Sequence, residues 1–227
     1  MLRAAACAVA ASLIGFTPAA AQTTSPPGPW ALDVRGVTSP VPDDAAFYPT
    51  LQAATVPTRG YGIDVGAHLY LFHFGPSRVG LGGSVLSIRS TTTSTSTQTI
   101  DNVTVTTSGQ RLTLNMRILA PQISFNFGSR DGWSYLSLGA GAASIDTRTA
   151  EVLAGSRDSG WRRALNFGGG ARWFFRPHLA FGFDLRIHRI SSGAAGDIVL
   201  GSIGTVPSTE SAPSVTAVSI GAGLSFR

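Results

Sequence analysis

The stretch Leu179-Ala-Phe-Gly-Phe-Asp-Leu-Arg-Ile-His188 places a large apolar side chain at every odd position and a small or charged one between them. In a β-strand, successive side chains point to opposite faces, so one face of this strand is broad and apolar. The other face carries Asp184, Arg186 and His188. The two-residue period therefore predicts a strand that separates an apolar environment from a polar one.

Composition indicates which environment lies on the apolar side. A water-soluble barrel shows the same alternation, but a water-facing surface usually carries roughly 25–35% charged side chains. Only 13% of the whole chain is charged, and it contains no Lys. We therefore expect the apolar face to contact lipid and the narrow face to fill the interior of a small barrel. A water-soluble barrel is the alternative.

Similar alternation recurs along the chain and predicts eight strands, at 30–37, 61–74, 79–90, 111–127, 133–144, 161–175, 179–188 and 215–226. The connections alternate between long ones at 38–58, 91–109, 147–160 and 192–213 and short ones at 75–78, 128–132 and 176–177. Outer-membrane barrels have short periplasmic turns and long external loops. Because lipid offers backbone amides no partner, the strands must close on themselves. The predicted fold is all-β, an eight-stranded antiparallel up-and-down transmembrane β-barrel.

Two segments depart from this simple pattern. Apolar residues at even positions from Leu112 to Ile118 change to odd positions from Ile123 onward. A bulge at Ala120-Pro121 would keep both groups on the lipid face, since Pro lacks an amide donor. The Thr- and Ser-rich tract from Ser90 cannot build a core. It is expected either to extend the neighbouring strands or to form a mobile loop.

The first residues have the parts of a secretory signal peptide. A positive start is followed by an apolar run from Ala4 to Phe16 and by small residues before Gln22. We expect a signal peptide at 1–21, an N-terminal linker at 22–29 and the barrel at 30–227. Cys7, the single cysteine, would leave with the signal peptide, so no disulfide is expected.

The excess of arginine over acidic residues does not indicate nucleic-acid binding. A phosphate footprint requires clustered basic side chains. After loss of Arg3, 16 Arg and 12 acidic residues leave a formal charge of +4, and the arginines are spread singly over almost every strand.

Aromatic residues cluster at the inferred periplasmic ends of the strands, as in the girdles of membrane barrels. The residues assigned to this girdle are Trp30, Phe72, Phe74, Phe125, Phe127, Trp133, Tyr135, Trp173, Phe174, Phe175, Phe181 and Phe226.

Over roughly residues 30–226 this pattern resembles the small eight-stranded outer-membrane barrels, such as the transmembrane domain of OmpA and the OmpX/Ail and Opa-like proteins. The resemblance implies a bacterial outer-membrane location among lipid and lipopolysaccharide. It also implies recognition of the last strand by the barrel-assembly machinery through a terminal aromatic residue. The last strand ends at Phe226, but Arg227 follows it, which leaves this signal imperfect. External loops would be free to meet a surface ligand.

Charged and histidine side chains on the narrow face are expected to form a hydrogen-bonded network that plugs the barrel. The expected members are Asp33, Arg35, Asp64, His68, Arg89, Arg111, Arg117, Arg172, Asp184, Arg186 and His188. If the turn at Gly75 pairs Phe74 with Val79, Asp64 lies opposite Arg89. By the same reasoning Asn166 faces His188.

The expected function is structural or surface-interacting, in adhesion or envelope integrity. A narrow solute channel and a lipid A-modifying enzyme are the alternatives. The enzyme would use His188 with Ser191 and an acid such as Asp197 or Glu210. No cofactor or metal ligand set is expected, because the remaining histidines are scattered.

Overall fold

The computed structural model describes residues 28–49, 56–75, 77–100, 103–129, 131–150, 155–201 and 204–227; within these, it describes only the backbone of 94–100, 103–110 and 129. The expected signal peptide at 1–21 lies outside the described residues, as does the linker at 22–29 except for Gly28 and Pro29.

The described residues form twelve strands and one short 3-10 helix, and they contain no helix long and apolar enough to cross a membrane. The strands are β1 (Trp30–Pro40), β2 (Arg59–Phe74), β3 (Ser77–Ile100), β4 (Val103–Ser129), β5 (Gly132–Ala150), β6 (Gly155–Arg176), β7 (Leu179–Ile190), β8 (Gly193–Ala194), β9 (Ile198–Leu200), β10 (Gly204–Val206), β11 (Ser211–Ala212) and β12 (Val215–Phe226). The 3-10 helix is Ala45–Phe47.

Eight of these strands close into a ring. Each of β1 to β6 pairs antiparallel with the next, β7 pairs with β12, and β12 pairs with β1. The eight-stranded antiparallel barrel predicted from the sequence is thus confirmed. Closure gives the backbone amides of every barrel strand a partner on both sides.

The two ends of the barrel differ. We call the end that carries Trp30, Phe226 and the short connections the turn end, and the opposite end the loop end. Strands β3 and β4 have 24 and 27 residues and reach farthest at the loop end. At about 3.3 Å per residue, β3 is about 80 Å long. The Thr- and Ser-rich tract extends these two strands, with paired backbone up to Ile100 and Val103.

The stretch from Leu179 to His188 has the predicted orientation. In β7 the large apolar side chains, such as Phe183 and Leu185, are exposed on the outside of the barrel. Asp184, Arg186 and His188 are buried inside it. The same orientation holds for β12, where Val218, Ile220, Ala222, Leu224 and Phe226 all point outward.

The interior changes in polarity along the barrel axis. Its loop-end half is apolar and includes Ile88, Leu114, Met116, Ile118 and Ile145. Its turn end holds a small aromatic cluster of Tyr70, Trp133 and Phe174 above Ala31. Charged side chains lie between these two layers.

The apolar loop-end half explains why the bulge predicted at Ala120-Pro121 is wrong. Strand β4 keeps one register with β3 on both sides of Pro121, since Leu119 pairs with Val85 and Gln122 with Gly82. Alternation therefore continues unbroken, and Leu112, Leu114, Met116 and Ile118 face inward rather than toward lipid. The prediction failed because it assumed a polar interior along the whole barrel.

The predicted pairing of Asp64 with Arg89 is also wrong. The first turn is tighter than assumed, because Phe74 pairs with Ser77, and the register shifts between Tyr70 and Phe72. Asp64 consequently lies opposite Leu86, and Arg89 lies opposite Tyr61. The predicted pairing of Asn166 with His188 is confirmed.

Three of the predicted girdle residues lie inside the barrel instead. Trp133 and Tyr135 are buried, and Phe174 packs against Trp133 with ring centroids 4.7 Å apart. Alternation in β5 requires this, because Leu136 and Leu138 point outward.

The orientation of β4 makes a direct prediction. Met116→Ala empties an interior position and should lower the free energy of unfolding by about 2–5 kcal/mol. Leu119→Ala, which trims an outward side chain on the same strand, should lower it less. Urea unfolding of the refolded protein in detergent micelles measures both. A larger loss for Leu119→Ala would mean that β4 faces the other way.

Candidate functional site

The structure buries eight of the eleven predicted interior residues and brings six of the eight into one charged cluster. The eight buried residues are Asp33, Arg35, Asp64, His68, Arg172, Asp184, Arg186 and His188. Strands β1, β2, β6 and β7 supply them, so they reach the centre from both sides of the ring.

Asp33 is the centre of the first half of this cluster. Arg172 donates two hydrogen bonds to its carboxylate, at 2.9 Å and 2.7 Å, which is the bidentate geometry that guanidinium groups favour. Arg35 adds an ion pair at 2.8 Å, and Ser225 donates to Asp33 at 2.5 Å. Arg35 also binds Asp64 at 2.9 Å. Strands β1, β2, β6 and β12 are thereby joined through one set of contacts.

Asp184 is the centre of the second half. Arg186, two residues away on the same strand, binds its carboxylate at 3.2 Å and 3.0 Å. The Tyr135 hydroxyl donates to Asp184 at 2.6 Å. Arg186 also donates to Ser137 at 2.9 Å and to Asn166 at 3.0 Å. This half joins β5, β6 and β7.

Tyr135 links the two halves. The Arg172 guanidinium lies 4.1 Å from the centre of its ring, and that of Arg35 lies 5.8 Å away, both within the range of cation–π attraction. Gly170 makes room for this ring: a Cβ there would fall 2.8 Å from the tyrosine hydroxyl oxygen and 2.1 Å from the carbonyl oxygen of Phe183. The prediction that Tyr135 belongs to the aromatic girdle is wrong, because alternation with the outward Leu136 places Tyr135 on the inner face of β5.

The two buried histidines lie at the edges of this cluster. His68 contacts Gln122 at 3.3 Å, and Gln122 donates to Ser84 at 2.9 Å. His188 contacts Ser219 at 3.2 Å. Neither Gln122 nor Ser84 was predicted as a site residue, because single uncharged residues give little signal in a sequence.

The other three predicted residues, Arg89, Arg111 and Arg117, are exposed on the outside of the barrel. Their assignment to the interior was wrong. In the loop-end half of β3 and β4 the inner positions belong to apolar side chains such as Ile88 and Met116, so alternation turns the intervening arginines outward. They lie toward the loop end, beyond the apolar part of the outer face.

A second polar cluster closes the loop end. Arg157, which is buried, donates to the backbone oxygens of Tyr48 and Gly196 and pairs with Glu210 at 2.8 Å. Thr147 donates to the Phe47 carbonyl oxygen at 2.6 Å. These contacts hold the 3-10 helix and the segment before β12 over the apolar layer.

The residues considered for enzymatic chemistry do not form a nucleophile and base pair. His188 contacts Ser219 rather than Ser191, whose backbone amide donates to the carbonyl oxygen of Arg163. Glu210 pairs with Arg157, and Asp197 accepts from the backbone of Ser208. Within the described part of the chain there is no group of three or more potential metal ligands.

Three carboxylates, of Asp33, Asp64 and Asp184, face three guanidinium groups, of Arg35, Arg172 and Arg186. We call these six residues, with Tyr135, the interior network. Its opposite charges balance, which compensates for removing them from water. Its side chains occupy the middle of the interior between the aromatic and the apolar layers.

Comparison with known proteins places the chain among bacterial envelope proteins. A family model described as "Outer membrane protein beta-barrel domain" matches residues 7–226. Two crystal structures of Ail, the attachment invasion locus protein of Yersinia pestis, are similar. One, in complex with the heparin analogue sucrose octasulfate, has 14% identity and a TM-score of 0.45; the other has 13% and 0.41. Both matches cover 87% of this chain and 97% of the Ail chain. No curated protein matches the sequence.

The interior network predicts a large loss of stability from one substitution. Asp33→Asn keeps the shape of the side chain but leaves Arg35 and Arg172 without their shared charge. The free energy of unfolding in micelles should fall by about 3–5 kcal/mol. Asp146→Asn, which removes the pair with the exposed Arg148, is the matched control and should cost about 0–1 kcal/mol. Equal losses would show that burial of the network contributes nothing.

Proposed function

Because the chain belongs to the outer membrane protein beta-barrel domain family, we propose that it acts as a closed, non-conducting barrel with a structural or surface-interacting role. The protein is an eight-stranded barrel of the bacterial outer membrane. Its apolar outer face contacts lipid, and its short turns face the periplasm. The loop end is accordingly external.

The observation that supports this proposal is that the described strands place buried side chains at the turn end, in the middle and in the loop-end half of the interior. Trp133 and Phe174 occupy the turn end, the interior network the middle, and apolar side chains the loop-end half. Arg172 and Asp33 have no exposed surface. An eight-stranded ring is just wide enough for side chains to fill, so this arrangement supports an interior that is closed to ions and solutes.

The surface-interacting role is supported by the length of β3 and β4. Tilted by about 40°, a strand of about 80 Å rises about 60 Å, twice the thickness of the roughly 30 Å hydrocarbon core. The hairpin of β3 and β4 therefore extends well outside the membrane. Strands β5, β6, β9 and β10 continue the same sheet beside it. Such a sheet presents a broad surface to the cell's surroundings.

The proposal is non-enzymatic, and it treats the barrel-assembly machinery as the partner of the last strand. Phe226 points outward at the end of β12. Arg227 turns back beneath the barrel: its guanidinium lies 3.9 Å from the centre of the Phe174 ring and donates to the Pro177 carbonyl oxygen at 2.7 Å. This leaves Phe226 accessible as the terminal aromatic residue, which supports its recognition during assembly.

The closed interior predicts that the protein conducts no ions across a membrane. Purified protein inserted into planar lipid bilayers should give no reproducible conductance steps, because side chains fill the interior at every level. A porin taken through the same preparation serves as the control for insertion, and heat-modifiable gel mobility verifies that the barrel is folded. Regular steps from the folded protein would replace this proposal with a narrow channel.

If the external sheet has a surface role, shortening it should change cell attachment without changing the folding of the barrel. Replacing residues 94–110 with Asn-Gly joins Thr93 to Arg111, which already pair, through a favoured two-residue turn. Cells that display this variant should attach to polystyrene and settle in suspension less than cells with the full-length protein.

The shortened variant should keep heat-modifiable mobility and normal amounts in the outer membrane, since β3 up to Thr93 and β4 from Arg111 keep their pairing. Unchanged attachment and settling at equal surface amounts would contradict a role for the sheet in surface interaction. Sensitivity of the deletion strain to detergents and bile salts would then measure the remaining structural role.

A further inference from the structure

A cavity opens at the loop end, where the wall of the barrel divides between β1 and β12. The ladder between these two strands ends at Thr38 and Ile220. Beyond this point β1 stays paired with β2, and β12 stays paired with β7. Pro40 has no amide with which to continue the ladder between β1 and β12. The two strands therefore separate, and a cavity of about 260 Å³ lies between residues 40–47 and residues 213–216.

The inner end of this cavity is apolar and offers few hydrogen-bond donors. Val41 and Phe47 line the cavity and are buried. Pro40, Pro42 and Pro213 line its sides, and the backbone nitrogen of proline carries no hydrogen. A molecule that enters this space must therefore have an apolar part, and it must supply its own hydrogen-bond donors.

Two carboxylates lie at the outer end of the cavity. Asp43 and Asp44 line it and are exposed. The backbone amide of Ala46 donates to one carboxylate oxygen of Asp44 at 2.9 Å, so the start of the 3-10 helix fixes this side chain. Among the described residues, neither aspartate forms an ion pair. The entrance of the cavity therefore carries two negative charges that are free to bind a cation.

Arg189 contacts the opposite wall of the cavity and leaves the two carboxylates unpaired. Its guanidinium donates to the hydroxyls of Ser214 at 2.8 Å and Thr216 at 2.6 Å, and both of these residues line the cavity. The two hydroxyl oxygens thus already accept hydrogen bonds, and the two aspartates remain as charged acceptors for a ligand. Because opposite charges attract strongly over a short distance, the cavity favours a cation.

The volume of the cavity limits the size of this cation. The cavity of 260 Å³ has the volume of about nine water molecules, at about 30 Å³ for each molecule. Drug-sized ligands occupy larger pockets, of about 300–1,000 Å³. The space therefore suits an apolar group of about five carbons with one polar group attached to it.

We propose that this cavity binds a primary ammonium ion that is carried on a small apolar group. The apolar group lies against Val41 and Phe47, where its burial stabilises the complex. The ammonium group, which has three donors, donates to Asp43 and Asp44. This chemistry occurs in free alkyl amines and at the N-terminus of a polypeptide that begins with leucine. The site lies apart from the external sheet and does not depend on the role proposed for that sheet.

The test is an NMR titration of the isotope-labelled barrel in lipid nanodiscs with isoamylamine, observed at the amides of residues 41–47 and 214–216. Isoamyl alcohol, which has the same apolar group without the charge, should bind roughly tenfold more weakly than the amine. Methylammonium, which lacks most of the apolar group, should also bind at least about tenfold more weakly.

A leucine-initiated tripeptide and its N-acetylated form distinguish the two sources of the ammonium ion. Binding of the free tripeptide, abolished by acetylation, assigns the site to polypeptide N-termini. Binding of isoamylamine without binding of the tripeptide assigns it to small free amines.

Variants of the protein test the two parts of the site separately. Asp43→Asn with Asp44→Asn should weaken the binding of isoamylamine roughly tenfold. Asp146→Asn with Asp158→Asn removes the same charge at the same end of the barrel and should leave binding unchanged. Ser214→Phe fills the cavity and should weaken binding roughly tenfold. Heat-modifiable mobility verifies the folding of each variant.

Arg189→Gln is the control for Ser214→Phe, because it removes the same contact without filling the cavity. It should bind isoamylamine at least as tightly as the wild-type protein, since it also removes a nearby positive charge. Equal binding of isoamyl alcohol, or equal weakening by the Asp146 and Asp158 variant, would overturn the proposal, because the carboxylates of the cavity would then not select the ligand. Unchanged binding by Ser214→Phe would place the amine outside the cavity. None of these results bears on conductance or on cell attachment.

Discussion

The burial of three carboxylates with three guanidinium groups is the constraint on which the rest of this barrel depends. An unpaired charge in such an interior costs several kcal/mol, and its neighbours must supply the compensation. Asp33 receives that compensation from β1, β6 and β12 at once. These contacts form only when the ring is closed and every strand is in register. The network thus makes closure specific, whereas hydrogen bonding of the backbone alone would allow strands to slip.

The layers above and below the network follow from the same constraint. Excluding water lowers the local dielectric constant and so strengthens the attraction between the opposite charges of the network. Apolar side chains around Met116 exclude water from the loop-end side, and Trp133 with Phe174 does so from the turn end. Arg157 in turn fixes the segment that covers the apolar layer, through contacts to Tyr48 and Glu210. The interior is therefore a sequence of layers, each of which protects the next.

The sequence was sufficient to predict the number of strands, their order and the alternating lengths of the connections, because these depend on a strict two-residue period and on turn residues. It also predicted the inward direction of Asp184 and Arg186, since β7 alternates without interruption. It did not predict the direction of Arg117. The alternation in β4 is equally clear, but it cannot say which of two faces is inside when the interior itself changes from polar to apolar.

The sequence also did not predict the ion-pair partner of Asp64. Asp64 binds Arg35 rather than Arg89 because a register shift at Tyr70 lies between the turn and the site, and nothing local in the sequence marks that shift.

The Gly168-Gly169-Gly170 stretch shows how closely the two faces of one strand are linked. Gly170 faces inward and leaves space for the Tyr135 hydroxyl, which binds Asp184. Gly169 faces outward, where it lies in a cavity of about 510 Å³ between Leu136 and Phe183 and packs against the backbone of that same tyrosine. A side chain at either position would meet the backbone of a neighbouring strand. The inner face and the outer face of this short segment of β6 therefore both require glycine. Three successive glycines weaken a strand, because they pack poorly and lose much entropy on folding. In β6 this cost is offset by the ion pairs that Arg172, two residues farther along, makes with Asp33. The interior network therefore stabilises a segment whose lack of side chains shapes both faces of the barrel wall.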